Sequence, residues 1–408
     1  MTGPSGLTAD LCLKCNICTA ACPVAGATDL FPGPKAVGPQ EERFRQPGQP
    51  SVDLSVAWCS GCGVCSRVCP HGVAVTEINV RAKAALAEQQ GVHLRDQLIS
   101  RPGLLGRIGT RMAPLANAVL GNTLARRAME ATLGVSRQGP LPGFATRSLR
   151  RNHADLIAAA PLAMAADSTC VAYFHGCSTE YYEPWIGDLA IAILERLGCR
   201  VLLPPQRCCG LPLQSNGLFP AARRYARSNI DSLSPFASAD IPIIGTSTSC
   251  TLALKHEYRA ILDLEGEAVE RVAGGVYDFF EFLTLSRVSQ LQQLTLRSIP
   301  QTVLYHPPCQ LRGHGIGTPA LQVLRMIPDL EILHSEAECC GVAGTYGLKR
   351  ERAAVAYEVG RELFDQARQV KPDIIVSDSE TCRWWIQRHT GVKCMHPLQL
   401  LAKAMELS

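Results

Sequence analysis

From residue 170 to the C-terminus, short apolar runs alternate with longer stretches whose apolar positions recur at helical intervals. Val171–Phe174, Val201–Leu203 and Ile241–Gly245 predict strands, with helices at Gly187–Leu197, Ala221–Leu233 and Thr251–Ala260. A second set follows: strands at Thr302–Tyr305, Leu330–Leu333 and Asp373–Val376, with helices at Pro319–Ile327, Arg350–Gln369 and Cys382–His389. Apolar runs this short, bounded by turn residues, suit strands buried on both faces, and βαβ alternation implies a parallel sheet. The pattern therefore predicts two tandem α/β domains, 166–298 and 299–408.

Ahead of residue 166 the pattern differs. Val75 to Gln90 is Ala-rich with interspersed Arg and Lys, a helix-forming composition that closes a small, mainly α-helical domain over residues 1–91. In the connector, 92–165, Leu104, Ile108, Met112, Leu115 and Val119 recur at spacings of 4, 4, 3 and 4, one stripe of an amphipathic helix. Pro102 marks its start and Pro114 a kink. Residues 92–153 also hold ten arginines against Asp96 and Glu130 alone, although the whole chain is only +4. A basic amphipathic helix can lie in the headgroup layer of an anionic membrane. It can equally be a linker that packs its stripe on neighbouring domains. The charge asymmetry favours the membrane.

Composition narrows the chemistry. Of 408 residues, 47% are hydrophobic and 19% charged, enough apolar material for packed cores. A net charge of +4 gives no case for nucleic acid as a partner. The longest run without a charged residue, Cys208–Ala222, is broken by Pro212 and too short to span a bilayer. Met1–Asp10 lacks the basic and apolar regions of an export signal, so a reducing compartment is expected. There the 19 cysteines, an odd number, are better read as metal ligands than as disulfides.

Two segments follow one spacing rule. Cys12-x2-Cys15-x2-Cys18-x3-Cys22 and Cys59-x2-Cys62-x2-Cys65-x3-Cys69 are each closed by a proline. Three thiolates two residues apart can wrap a tight loop around one cubane, while the fourth ligates the other cluster of a pair. Cys12, Cys15, Cys18 and Cys69 are thus expected to hold one [4Fe–4S] cluster, and Cys59, Cys62, Cys65 and Cys22 a second. Structural zinc also takes four thiolates, but usually from two separated CxxC hairpins. The first α-helical domain therefore reads as a two-cluster ferredoxin.

The two α/β domains repeat a cysteine pattern of their own. Cys177, Cys208-Cys209-Gly210 and Ser247-x2-Cys250 are matched by Cys309, Cys339-Cys340-Gly341 and Ser379-x2-Cys382. Intervals of 30 and 29 residues precede the Cys-Cys pair, and 40 and 41 follow it, as in duplicated units. Adjacent cysteines cannot readily close an unstrained disulfide, yet both can reach a metal or cluster. Cys177, Cys208, Cys209 and Cys250 form one candidate metal site, and Cys309, Cys339, Cys340 and Cys382 the other. Cys170, Cys199 and Cys394 stand outside the pattern and are expected in the core. His175 and His306 sit beside Cys177 and Cys309, either tuning the thiolates by hydrogen bonds or donating protons.

The paired ferredoxin runs, Phe31-Pro-Gly-Pro-Lys35, Phe174-His-Gly-Cys177, Thr246-Ser-Thr-Ser-Cys250 and Cys339-Cys-Gly-Val-Ala-Gly-Thr-Tyr-Gly347 together resemble the iron–sulfur subunit family of anaerobic glycerol-3-phosphate dehydrogenases. The wider superfamily includes the glycolate oxidase iron–sulfur subunit and the cysteine-rich subunit of heterodisulfide reductase. The resemblance implies an electron-transfer subunit on the cytoplasmic side of the inner membrane. It would take electrons from flavoprotein dehydrogenase subunits to membrane quinone and help anchor the complex to the membrane surface. Substrate oxidation would sit on the partner, since no G-x-G-x-x-G fingerprint follows a strand; Gly313-His-Gly-Ile-Gly317 comes near, but is followed by Thr318. Ser247 and Ser379 replace the first cysteine of the family's fullest CxxC ending. Each repeat is thus left with four thiolates, enough for an ordinary cluster or for zinc. Alternative readings are a glycolate- or lactate-oxidising complex, an enzyme that reduces disulfides at a repeat cluster, and a zinc scaffold.

Overall fold

The computed structural model describes residues 9–46, 49–160 and 169–407. The expected domain boundary near residue 165 and most of the Met1–Asp10 segment lie outside them. The N-terminal region is helical, with short turns at Ile17–Ala20 and Val64–Arg67 and one long helix, α1 (Val75–Gln90). Asn79 on α1 is fully buried, and its Nδ2 donates to Pro34 O at 3.2 Å. This pins the Pro-rich loop, whose Phe31 enters a core with Val24, Val37, Val56 and Leu86.

The connector forms α2 (Leu94–Ile99), α3 (Pro102–Arg111), α4 (Ala113–Gly121) and α5 (Thr123–Leu133). Proline stands at the start of α3 and again at that of α4, and the helix is interrupted at Met112 beside the expected kink. The linker alternative required the stripe to pack inward, and it does not. Leu104, Ile108, Met112, Leu115 and Val119 are all exposed, from 45% at Val119 to 59% at Leu115. α3 packs instead through its glycines: a Cβ at Gly106 would stand 2.6 Å from the Tyr181 side chain. Small residues let the helix approach so closely that no room is left for the bulky stripe on that side.

The C-terminal half holds two four-stranded parallel sheets. In the first, β1 (Cys170–Phe174) lies between β2 (Arg200–Leu202) and β3 (Ile243–Gly245), and β4 (Val276–Asp278) adds to β3. Its helices include α6 (Pro184–Arg196), α7 (Phe219–Ser238) and α8 (Phe279–Ser286). The second repeats the order with β5 (Gln301–Tyr305), β6 (Leu330–His334), β7 (Ile374–Val376) and β8 (Cys394–Met395). It carries α9 (Pro319–Leu324), α10 (Arg350–Val370), α11 (Glu380–Thr390) and α12 (Pro397–Ala404). The central strands are buried on both faces, as their apolar runs require. β4 and β8 escaped the sequence reading because Val276-Tyr-Asp278 and Cys394-Met395 do not form the uninterrupted aliphatic runs that marked the other strands.

One core serves both sheets. Ile193 and Leu194 of α6, Phe279 and Leu283 of α8, Leu321 and Leu324 of α9, and Leu398 and Leu401 of α12 pack together between them. At its edge the Arg383 guanidinium grips the Glu183 carboxylate at 3.1 and 2.6 Å, and Trp384 Nε1 adds a third bond at 3.0 Å. Arg383 is buried and Glu183 nearly so, with 4% and 12% of their side chains exposed. Arg383→Ala leaves that carboxylate without a cation and should destabilise the C-terminal half by about 3 kcal/mol. Breaking the exposed Arg271–Glu267 pair should leave stability unchanged. Denaturant titration of the two variants checks this contrast.

Candidate iron–sulfur sites

The ferredoxin cysteines fall into two groups. Cys12, Cys15, Cys18 and Cys69 line one small cavity, and Cys22, Cys59, Cys62 and Cys65 another. The fourth cysteine of each run thus faces the other run's cavity, because the short helices Ile17–Ala20 and Val64–Arg67 carry it away from its own loop. Burial pushes the thiols upward, Cys22 to about 11 and Cys62 to about 12, with repulsion among neighbouring sulfurs adding to it. Thr76 Oγ1 lies 3.0 Å from Cys65 Sγ, a hydrogen bond able to tune a bound group.

In each α/β repeat the cysteines follow the C-terminal ends of the first three strands, where open parallel sheets place their ligands. Cys177 and Cys309 lie beyond β1 and β5, the Cys-Cys pairs beyond β2 and β6, and Cys250 and Cys382 beyond β3 and β7. The glycine closing each pair has a positive φ, 86° at Gly210 and 94° at Gly341. A Cβ at Gly341 would also overlap Ala356 O of α10, so only glycine fits the turn that aims both sulfurs one way. Cys177 and Cys208 Sγ are 3.6 Å apart. Cys208 and Cys339 are held well below the usual thiol range by hydrogen bonds from Cys177 and Cys309, helped by Cys209 and Cys340.

Both repeat quartets open on one cavity of about 430 Å³. Cys59 and Cys62 reach the same wall, and Cys62 is near enough to Cys339 and Cys309 for their charges to interact. The ferredoxin region is fixed there by Arg67 and Arg312, which both reach Glu338 at 2.7 Å, and by Arg352, 3.3 Å from the Trp58 ring centroid. Its second set therefore adjoins the second repeat. Four thiolates per set suit an iron–sulfur cluster, and in the repeats equally zinc.

Other residues go where their chemistry suggests. Cys170, Cys199 and Cys394 are buried, and Cys199 accepts a bond from Arg287 Nε at 3.2 Å. His175 Nδ1 donates to Gly176 O at 2.8 Å and His306 Nδ1 meets Ser335 Oγ at 3.3 Å, while neither Nε2 has a hydrogen-bond partner. Burial holds both rings neutral, at about 3 and about 4. Ser247, at the position of the missing cysteine, donates across the repeats to Glu380 at 3.1 and 3.3 Å. The sequence reading missed Gly103, where a Cβ would stand 3.7 Å from the Cβ atoms of Cys177 and Cys208. No spacing rule connects a connector glycine with cysteines so far along the chain.

Residues 8–73 match the 4Fe-4S dicluster domain model, and residues 171–255 and 303–387 each match the cysteine-rich domain model. The chain is 35% identical to the C-subunit of the anaerobic glycerol-3-phosphate dehydrogenase of Escherichia coli K12 over 399 residues, covering 97% of this chain and 98% of that protein. A probable glycolate oxidase iron-sulfur subunit of Bacillus subtilis is 24% identical over 87% of this chain and 82% of its own. Lactate utilization protein A of Geobacillus thermodenitrificans matches at 27% over 57% of this chain and 98% of that protein. Cys15→Ser should remove the signal of one ferredoxin cluster and Cys62→Ser that of the other. Electron paramagnetic resonance with iron analysis reads this; full iron with unchanged spectra in both variants would refute the grouping.

Proposed function

We propose, from the premise that this chain belongs to the C-subunit family of anaerobic glycerol-3-phosphate dehydrogenases, that it relays electrons from a partner's flavin to membrane quinone and helps hold the complex at the membrane. The observation that carries the relay is the succession of cysteine sets. It runs from Cys15, exposed at the outer end, through the Cys22–Cys59–Cys62–Cys65 set to Cys309 and Cys339 of the second repeat. Cys12, Cys15, Cys18 and Cys69, and Cys22, Cys59, Cys62 and Cys65, would hold two [4Fe–4S] clusters; the repeat quartets would hold a further cluster or zinc each. Clusters there supply one-electron transfer without substrate chemistry.

The protein's own contribution is positional. Desolvation and shared thiolate charge make each quartet costly without a bound cation, so loading also stabilises the fold. Hydrogen bonds to sulfur, from Thr76 to Cys65 and from Gly341 N to Cys339 at 3.3 Å, would favour the reduced form of a cluster held there. Oxidation of sn-glycerol 3-phosphate to dihydroxyacetone phosphate is assigned to the flavoprotein partner. The lower-identity glycolate and lactate relatives make a 2-hydroxy acid the second choice.

The membrane reading rests on the connector. Its exposed stripe is flanked on α3 by exposed Arg107 and Arg111, a pairing of apolar area and positive charge that suits anionic headgroups. Among the described residues no helix is long and apolar enough to cross a membrane, so attachment would be peripheral.

Two measurements test this reading. Anaerobically purified protein should contain clearly more than about eight irons with matching sulfide, and glycerol 3-phosphate plus the flavoprotein should bleach its cluster absorbance. About eight irons with two zincs would instead make the repeats structural. Replacing Leu104, Ile108 and Met112 together by serine should cut binding to phosphatidylglycerol vesicles about tenfold or more. Unchanged co-sedimentation would return the connector to a linker role.

A further inference from the structure

The connector helices are apolar on two sides. Their outer side is the exposed stripe, and their inner side closes the large cavity over the cysteines. Leu98, Leu105, Leu120, Met129, Leu133 and Phe144 line it there, facing the sulfurs of both repeats. On α3 the two surfaces are one residue apart, Leu104 outward and Leu105 on the cavity.

The polar groups on its wall are unequal. Lys83 Nζ is already bonded to Cys59 O at 3.0 Å, and Arg95 is bonded to Asp96 and Glu351 at 2.7 Å. Arg95 is therefore committed, whereas Lys83 keeps two further N–H groups and burial lowers it to about 8. Glu257 is different: among the described residues its carboxylate has no cation beside it and accepts one hydrogen bond, from Gln214 Nε2 at 3.0 Å. It stands in the irregular turn Ala253–Glu257, seven residues past Cys250.

We propose that this cavity is the quinone site, with the ring held between the connector's inner leucines and the cysteine sets, and Glu257 delivering a proton to it. The inference rests on the relay reading and adds the place and the residues. Reduction converts both C=O groups of the ring to C–OH and takes two electrons and two protons. The electrons arrive singly through the iron–sulfur sets from the partner's reduced flavin. One proton leaves the Glu257 carboxyl, which is refilled from solvent, and the other comes from water. Burial, with Glu77 nearby, pushes Glu257 up to about 7, so it holds a proton for much of the time near neutral pH. A ligand that dissolves in lipid fits a cavity whose lining is mostly apolar and whose roof also faces the membrane.

The test uses the cluster-loaded full chain and duroquinone, which has no open ring position for thiol addition. Calorimetric titration should show binding to the wild type, weakened about tenfold or more in Leu105→Trp and in Met129→Trp, both of which fill the cavity. Met129→Trp decides if Leu105→Trp loses iron. Glu257→Gln should bind within about twofold of wild type, yet form quinol from pre-reduced clusters about a hundredfold more slowly. Unchanged affinity in Met129→Trp, displacement of duroquinone by glutathione disulfide, or an undiminished rate in Glu257→Gln would overturn the assignment. Bleaching of the clusters by glycerol 3-phosphate and the flavoprotein, run on the same samples, separates the two failures. If bleaching fails the relay reading falls; if it succeeds with unaltered quinone binding, only the site does.

Discussion

The rest of the structure depends on burying four helices against one another. α6, α8, α9 and α12 each present an apolar face that neither sheet can cover alone, and packing them together makes one core from two repeats. Once this contact is made, the repeats are no longer free to turn. Their strands end on the same cavity, and two quartets far apart in sequence line one wall. Polar contacts then fix the register. His396 caps α12 through Nδ1 while its Nε2 donates to Thr246 O of the other repeat at 3.0 Å. The Arg383–Glu183 pair and Ser247–Glu380 act across the same boundary.

The N-terminal half is bound to this frame by charge as well as packing. Asp96 of α2 is buried between Arg95, at 2.7 Å, and Lys349, at 2.8 Å. Lys349 also reaches Asn216 Oδ1 at 2.7 Å, so the connector and both repeats meet at one ammonium group. With every member satisfied, the network fixes α2 beside the cysteines, whereas a lone buried carboxylate would have done the opposite. The same region carries the antiparallel bridge Val135–Lys349, which ties the end of α5 to the second repeat.

Much of this was legible in the sequence because it is local. Strand runs, helix periodicity and the proline break at Met112 depend on neighbours within a turn or two, and the spacing of the cysteines in both motif types is itself chemistry. β4 and β8 were not legible, because their residues form no aliphatic run. Nor was the side on which the connector packs. Its leucines and its glycines both recur at helical spacing, and only the Tyr181 and Phe144 side chains, contributed from elsewhere, select the glycine face. The remaining Ser247 and Ser379 positions read as missing ligands, while Ser247 in fact serves the contact between repeats.

The asymmetry of the ferredoxin contact has a further consequence. Duplication made two sockets alike, but Cys62 lies close to Cys309 and Cys339 of the second, so the copies differ by position before any difference in their residues is counted. Two loaded sockets on one cavity would form a reservoir as well as a path. With a cluster in each, the cavity can be flanked by a pair of stored electrons while the ferredoxin supplies them singly. The chain would then work as a small capacitor, matching carriers that move one charge at a time to an acceptor that takes two.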